Sequence, residues 1–81
     1  MIRSNKDLYQ NINKIIVELK KAGQLKYVKQ LEDALSISTI PGEVLGETRL
    51  ALEALESANV VDKLNIRYDI ESSLEYINTI L

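Results

Sequence analysis

From Leu8 onward the apolar side chains return every three or four residues, the spacing that places them on one face of an α-helix. Leu8, Ile12, Ile15, Ile16, Leu19 and Ala22 predict a first helix over about residues 5–22, with Ser4 or Asn5 able to cap it by accepting from the first free backbone amides. Lys20 and Lys21 complement the dipole at its far end, and Gly23 stops it, because glycine enters the left-handed conformation without steric cost. Tyr27, Val28, Leu31, Ala34 and Leu35 predict a second helix over about 24–36. The link between the two is so short that they should form an antiparallel hairpin. Ser36-Ile37-Ser38-Thr39-Ile40-Pro41-Gly42 is the clearest break. There Ser38 or Thr39 can cap a third helix over about 41–57, and Pro41 is tolerated in its first turn. That helix turns Val44, Leu45, Thr48, Ala51, Leu52, Leu55 and Ala58 inward. Gly46, Arg49, Glu53 and Glu56 form its wet face, and Leu50 and Ala54 lie on a flank beside Glu43 and Glu47.

A fourth helix, capped by Asn59, should cover about 60–80, with Ile66, Ile70, Ser73, Leu74, Ile77 and Leu81 as its main apolar stripe. Val61, Leu64 and Tyr68 make a second stripe roughly opposite the first, continued by Glu71 and Glu75. A helix apolar on two sides is either buried by two neighbours or offered to a partner. No stretch alternates with the two-residue period of a strand, and none reads as a linker or repeat. The expectation is one all-α domain over residues 1–81, an antiparallel bundle of about four helices.

Composition narrows the function more than it names it. With 46% hydrophobic residues there is enough material for a core, and that core is aliphatic, since Phe and Trp are absent. Cysteine is absent too, so no disulfide staples the chain and no thiolate serves as nucleophile or metal ligand. No apolar leader follows the N-terminus, and no apolar run exceeds the three residues of Ile15-Ile16-Val17. These features predict a cytoplasmic protein.

Histidine is also missing, which removes the usual nucleophilic triads, the usual neutral-pH base and the Glu-x-x-His pairs of di-iron bundles. The glycines form no phosphate-binding loop. Carboxylate pairs remain, Glu53/Glu56 and Glu71/Glu75, each on one helix face. Such pairs hold Mg²⁺ in helical nucleotide pyrophosphatases. Here Glu71 is followed at i+3 by Leu74, and no basic cluster stands ready for phosphates. A solvated helix face is the plainer reading, and no catalytic residue, metal or cofactor is expected. Lys26 and Lys29 are offset by Glu32 and Asp33, so the second helix lacks the concentrated basic surface that nucleic acid requires. No polybasic membrane anchor is present either.

Net charge is −2, unevenly spread: residues 1–42 carry seven basic against four acidic side chains, and residues 43–81 carry three against eight. Either the halves attract each other across the fold, or the acidic half faces a basic partner. Tyr27 reads as core. Tyr68 and Tyr76 fall off the main stripe near acidic residues, where a tyrosine either edges the core or anchors an interface.

The segments Glu18-Leu19-Lys20-Lys21-Ala22-Gly23, Leu31-Glu32-Asp33-Ala34-Leu35 and Gly42-Glu43-Val44-Leu45-Gly46-Glu47 resemble small bacterial all-α proteins encoded beside toxins, some of which are immunity proteins. The resemblance covers under half the chain. It implies tight binding and neutralisation of a cognate toxin, and it supplies no motif of functional residues to carry over. An acidic half would suit a basic toxin domain. The reading is therefore a non-enzymatic protein-binding module with an expected contact surface of Glu43, Glu47, Leu64, Tyr68, Glu71 and Glu75. The alternative is a self-associating structural or adaptor protein, its homodimer closed by the Val61-Leu64-Tyr68 stripe. A Mg²⁺-dependent nucleotide-processing enzyme stands last.

Overall fold

Ser4 opens the first helix, α1 (Asn5–Lys21), from an extended backbone, its hydroxyl accepting the Asp7 N–H at 3.2 Å. The Asp7 carboxylate accepts the Arg3 N–H in return, also at 3.2 Å, and places negative charge at the positive end of the helix dipole. The other end closes as a Schellman motif. Gly23 sits at φ +72°, Gln24 N–H donates to Leu19 O at 2.9 Å, and Gly23 N–H donates to Lys20 O at 3.0 Å. This computed structural model describes residues 2–81; Met1, the first position of the predicted domain, lies outside them.

The second helix, α2 (Leu25–Leu35), follows immediately, and the third, α3 (Pro41–Glu56), begins with Pro41 in its first turn. Neither Ser38 nor Thr39 caps α3. The N-cap is Ile40, held extended at φ −90°, ψ 115°, as the residue before a proline must be. Ser38 acts one step earlier, its hydroxyl accepting the Ile40 N–H at 3.0 Å. Three expected inward residues also move, among them Leu81, which is 54% exposed just past the last helix. Ala22 is exposed because α1 has already ended, and Tyr27 is half-buried at the core edge.

The predicted fourth helix is two helices, α4 (Val60–Leu64) and α5 (Arg67–Ile80). Asn65 breaks it in the left-handed conformation, φ 57°, ψ 39°. The break resolves the two-sided stripe: Val61 is fully buried, Leu64 packs half-buried against the same core, and Ile66 and Ile70 return to that core from α5. Val61 and Leu64 thus face the core, while Tyr68 stays 72% exposed, so the three do not share one outward stripe.

The result is an all-α bundle with no strand among the described residues. Helices α1, α2, α3 and α5 close a ring, each packed on the next, and α4 lies against α3. Leu8, Ile12, Ile15, Leu19, Leu31, Leu52, Leu55, Ile70 and Ile77 fill its centre. A polar seam joins α1 to α5. Asn11 Nδ2 donates to Asp69 O and Ser73 Oγ, and the buried Ser73 hydroxyl donates to Asp69 O, all at 2.8 Å. Tyr76 OH donates to Asn5 Oδ1 at 2.8 Å. Asn5 meets Tyr76 while Asn11 meets Asp69, so the two helices run antiparallel. Among the described residues no helix is long and apolar enough to cross a membrane.

Candidate protein-binding surface

The six residues expected to form a contact surface do not form one. Leu64 is drawn into the core edge by α4. Tyr68, on the first turn of α5, is 72% exposed and lines a depression with Ile2, Ser72, Tyr76 and Glu75. Glu71 faces Arg67, with Oε1 3.8 Å from Nη1. Glu43 and Glu47 stand elsewhere, on the first two turns of α3, beside a depression between α2 and α3. The α1–α5 and α2–α3 depressions share no lining residue.

The charge asymmetry is mostly not consumed inside the fold. Only one ion pair among the described residues joins the two halves, Lys14 Nζ to Asp69 Oδ1 at 3.6 Å. The others are local to their half, such as Lys20–Glu32 and Lys29–Asp33. Arg67 Nε donates to Asp62 Oδ1 at 2.8 Å. That hydrogen bond, with the guanidinium charge, holds the Asp62 carboxyl below its usual range and raises Arg67. Glu43, Glu47, Glu53 and Glu75 have no cation within ion-pair distance among the described residues. No three carboxylates there converge as metal ligands, so the Glu53/Glu56 and Glu71/Glu75 pairs do not merge into one site.

The α2–α3 face is where apolar exposure and unpaired charge coincide. Ile37, just past α2, and Leu50, in the middle of α3, are each 56% exposed, and both line the same two neighbouring depressions. Ala34, Ala51 and Ala54 make the floor beside them, and Gly46 lies one turn before Leu50. Asp33, Glu43 and Glu47 rim this surface, with Arg49 the one cation lining it. Leu50 and Ala54 were visible in the sequence as an apolar flank beside two glutamates. Ile37 was hidden, because the helical period ends before it and nothing in the break segment says which way its side chain turns.

Compared with protein families, curated proteins and solved structures, the chain shows no match.

Proposed function

We propose that this protein is a non-enzymatic binding module that acts by covering part of a basic partner protein, in the manner of an immunity protein that neutralises a toxin. The observation that carries this reading is the pairing of Ile37 and Leu50, both well exposed, inside a rim of Asp33, Glu43 and Glu47. Two large aliphatic side chains that line the same depressions gain from being covered, each by about 1–2 kcal/mol for the half still exposed. The unpaired Glu43 and Glu47 carboxylates, beside an Asp33 that pairs with Lys29, attract cationic surfaces and repel acidic ones, which sets partner choice and speeds encounter.

Charge also separates this reading from self-association. A two-fold contact centred on Leu50 would bring the unpaired Glu43 and Glu47 of one copy towards the same residues of the other, with Arg49 to offset them and Lys29 already engaged by Asp33. Like charges facing each other oppose such a dimer, whereas a basic partner meets no such penalty.

The test is co-expression with the product of the reading frame next to this protein's gene. A complex that forms with the native protein and is lost with Leu50→Asp supports the proposal. Leu50 is 56% exposed, so that substitution should leave the fold intact at a cost of about 1 kcal/mol from helix propensity and the like charges of Glu47 and Glu53, with native helicity checked by circular dichroism. A neighbouring product that is not toxic, or whose toxicity and binding ignore Leu50→Asp, overturns it.

A further inference from the structure

We infer that the occupant of the α2–α3 face is a basic amphipathic α-helix of the partner, laid along α3. This rests on the reading of that face as the contact surface and goes on to specify what it binds. The shape of the face carries the first part. Gly46, Leu50 and Ala54 recur every four residues on α3, a line about 12 Å long at the helical rise. Leu50 stands up between two small residues, and Ile37 stands beside it from the end of α2. Ala34 and Ala51 leave the space between the two helices low. A straight row of one large and two small residues is the relief into which the side-chain ridge of another helix packs.

The other common ways of binding a peptide segment need features this face lacks. Addition of a strand requires a sheet edge, and the described residues contain no strand. A polyproline groove is built from aromatic side chains, and none lines these depressions. Capture of a phosphorylated motif uses clustered arginines, and Arg49 stands alone among three carboxylates. Helix-in-groove recognition needs apolar anchors at helical spacing and complementary flanks, which are present.

Charge carries the second part. Glu43 and Glu47 lie one turn apart on α3, and Asp33 lies across the depression on α2. A helix seated over Leu50 therefore meets the unpaired Glu43 and Glu47 on its side towards α2, where Asp33 is already paired with Lys29, and Arg49 on the other. Its flank towards α2 must carry lysine or arginine to meet Glu43 and Glu47, and its inward stripe needs small and medium aliphatic side chains to fit around Leu50 and Ile37. A glutamate-flanked helix of the same apolar stripe is rejected by the rim.

Two synthetic helical peptides of about 18 residues test this, long enough to hold helix in water. One carries a leucine–alanine stripe flanked by lysines; its twin has glutamate at every lysine. Each is titrated into the full-length protein while backbone amide chemical shifts are followed. The lysine peptide should perturb the end of α2, residues 36–40 and α3, and bind at least about tenfold tighter than its twin. Leu50→Asp should weaken it by a similar factor. The double variant Glu43→Lys/Glu47→Lys, checked for native helicity by circular dichroism, should reverse the preference between the peptides. Equal affinity for both peptides, shifts centred on Tyr68 and Ile2, or indifference to Leu50→Asp would overturn the inference. A native partner that needs Leu50 but contacts it through a loop would sink the helix while leaving the binding function standing.

Discussion

Val61 and Ile70 are both fully buried in one core, although they stand nine positions apart. In a continuous helix they would point about 180° apart. The left-handed Asn65 makes both burials possible by turning α4 away from α5. A β-branched residue pays roughly 1–2 kcal/mol in that conformation, whereas asparagine tolerates it and glycine enters it freely. Asn65→Val should therefore destabilise the protein by about 1–2 kcal/mol. Asn65→Gly should stay within about 0.5 kcal/mol of the native protein, its conformational ease being offset by the greater freedom of the unfolded chain. Urea titration of both variants is the check, and equal stability of the two would show that the break is not held by this backbone geometry.

Asn11 and Ser73 form a part-buried polar network across the α1–α5 interface, with Asp69 O receiving from both. Asn11→Ala removes two of its bonds and should cost about 1–3 kcal/mol. Ser73→Ala should cost less, because Asn11 still reaches Asp69 O. The double variant should lose less than the sum of the single ones by at least about 0.5 kcal/mol, since the two side chains share an acceptor and each other. Strict additivity in equilibrium denaturation would refute the network.

How far the fold could be read beforehand depended on whether each decision was local. The start of α1 is written in Ser4 and Asp7, its end in Gly23, and the inward faces in the return of Leu and Ile every three or four residues. Those are choices a few neighbouring residues settle alone. The Asn65 break is not. Residues 60–80 contain no glycine or proline, so helical spacing runs through them, and only the shared core shows why α4 turns aside. Leu64 and Tyr68 are parted for the same reason: they share a stripe only if the helix is continuous. The paired exposure of Leu50 and Ile37 depends on how α2 packs on α3, a tertiary fact.

Thr48 lies fully buried on the inner side of α3, and its hydroxyl has no hydrogen-bond partner among the described residues. Threonines in helices usually donate to the carbonyl four residues back, as Thr79 does to Glu75 O at 2.8 Å. An unpaired hydroxyl in an aliphatic core costs its lost hydration and gives nothing in return. Thr48→Val replaces that oxygen with a methyl group of similar size. Stability should rise by about 1 kcal/mol. The denaturation midpoint should move up with an unchanged slope. A fall in stability would mean that the hydroxyl has a role in the core that its geometry does not reveal.

Asp62 links the α4–α5 break to pH. Its carboxyl is held below the ordinary value of 3.8, first by the Arg67 hydrogen bond and then by the Arg67 charge, and both groups are open to solvent. A carboxyl with a depressed folded-state pKa binds its proton more readily when unfolded, so the pair supports the fold while Asp62 is ionised. Its contribution is complete above the unfolded value near pH 4 and disappears as pH falls through the lower folded value. Solvent screening keeps the effect small, and salt should shrink it further. Following the Asp62 side-chain carbon by NMR should show titration at lower pH than in Arg67→Gln, where the carboxyl should return to its ordinary range. The same variant should flatten the acid limb of the stability curve only below about pH 4, because the ordinary value sits there. A change confined to neutral pH would mean that Arg67 acts through some contact other than Asp62.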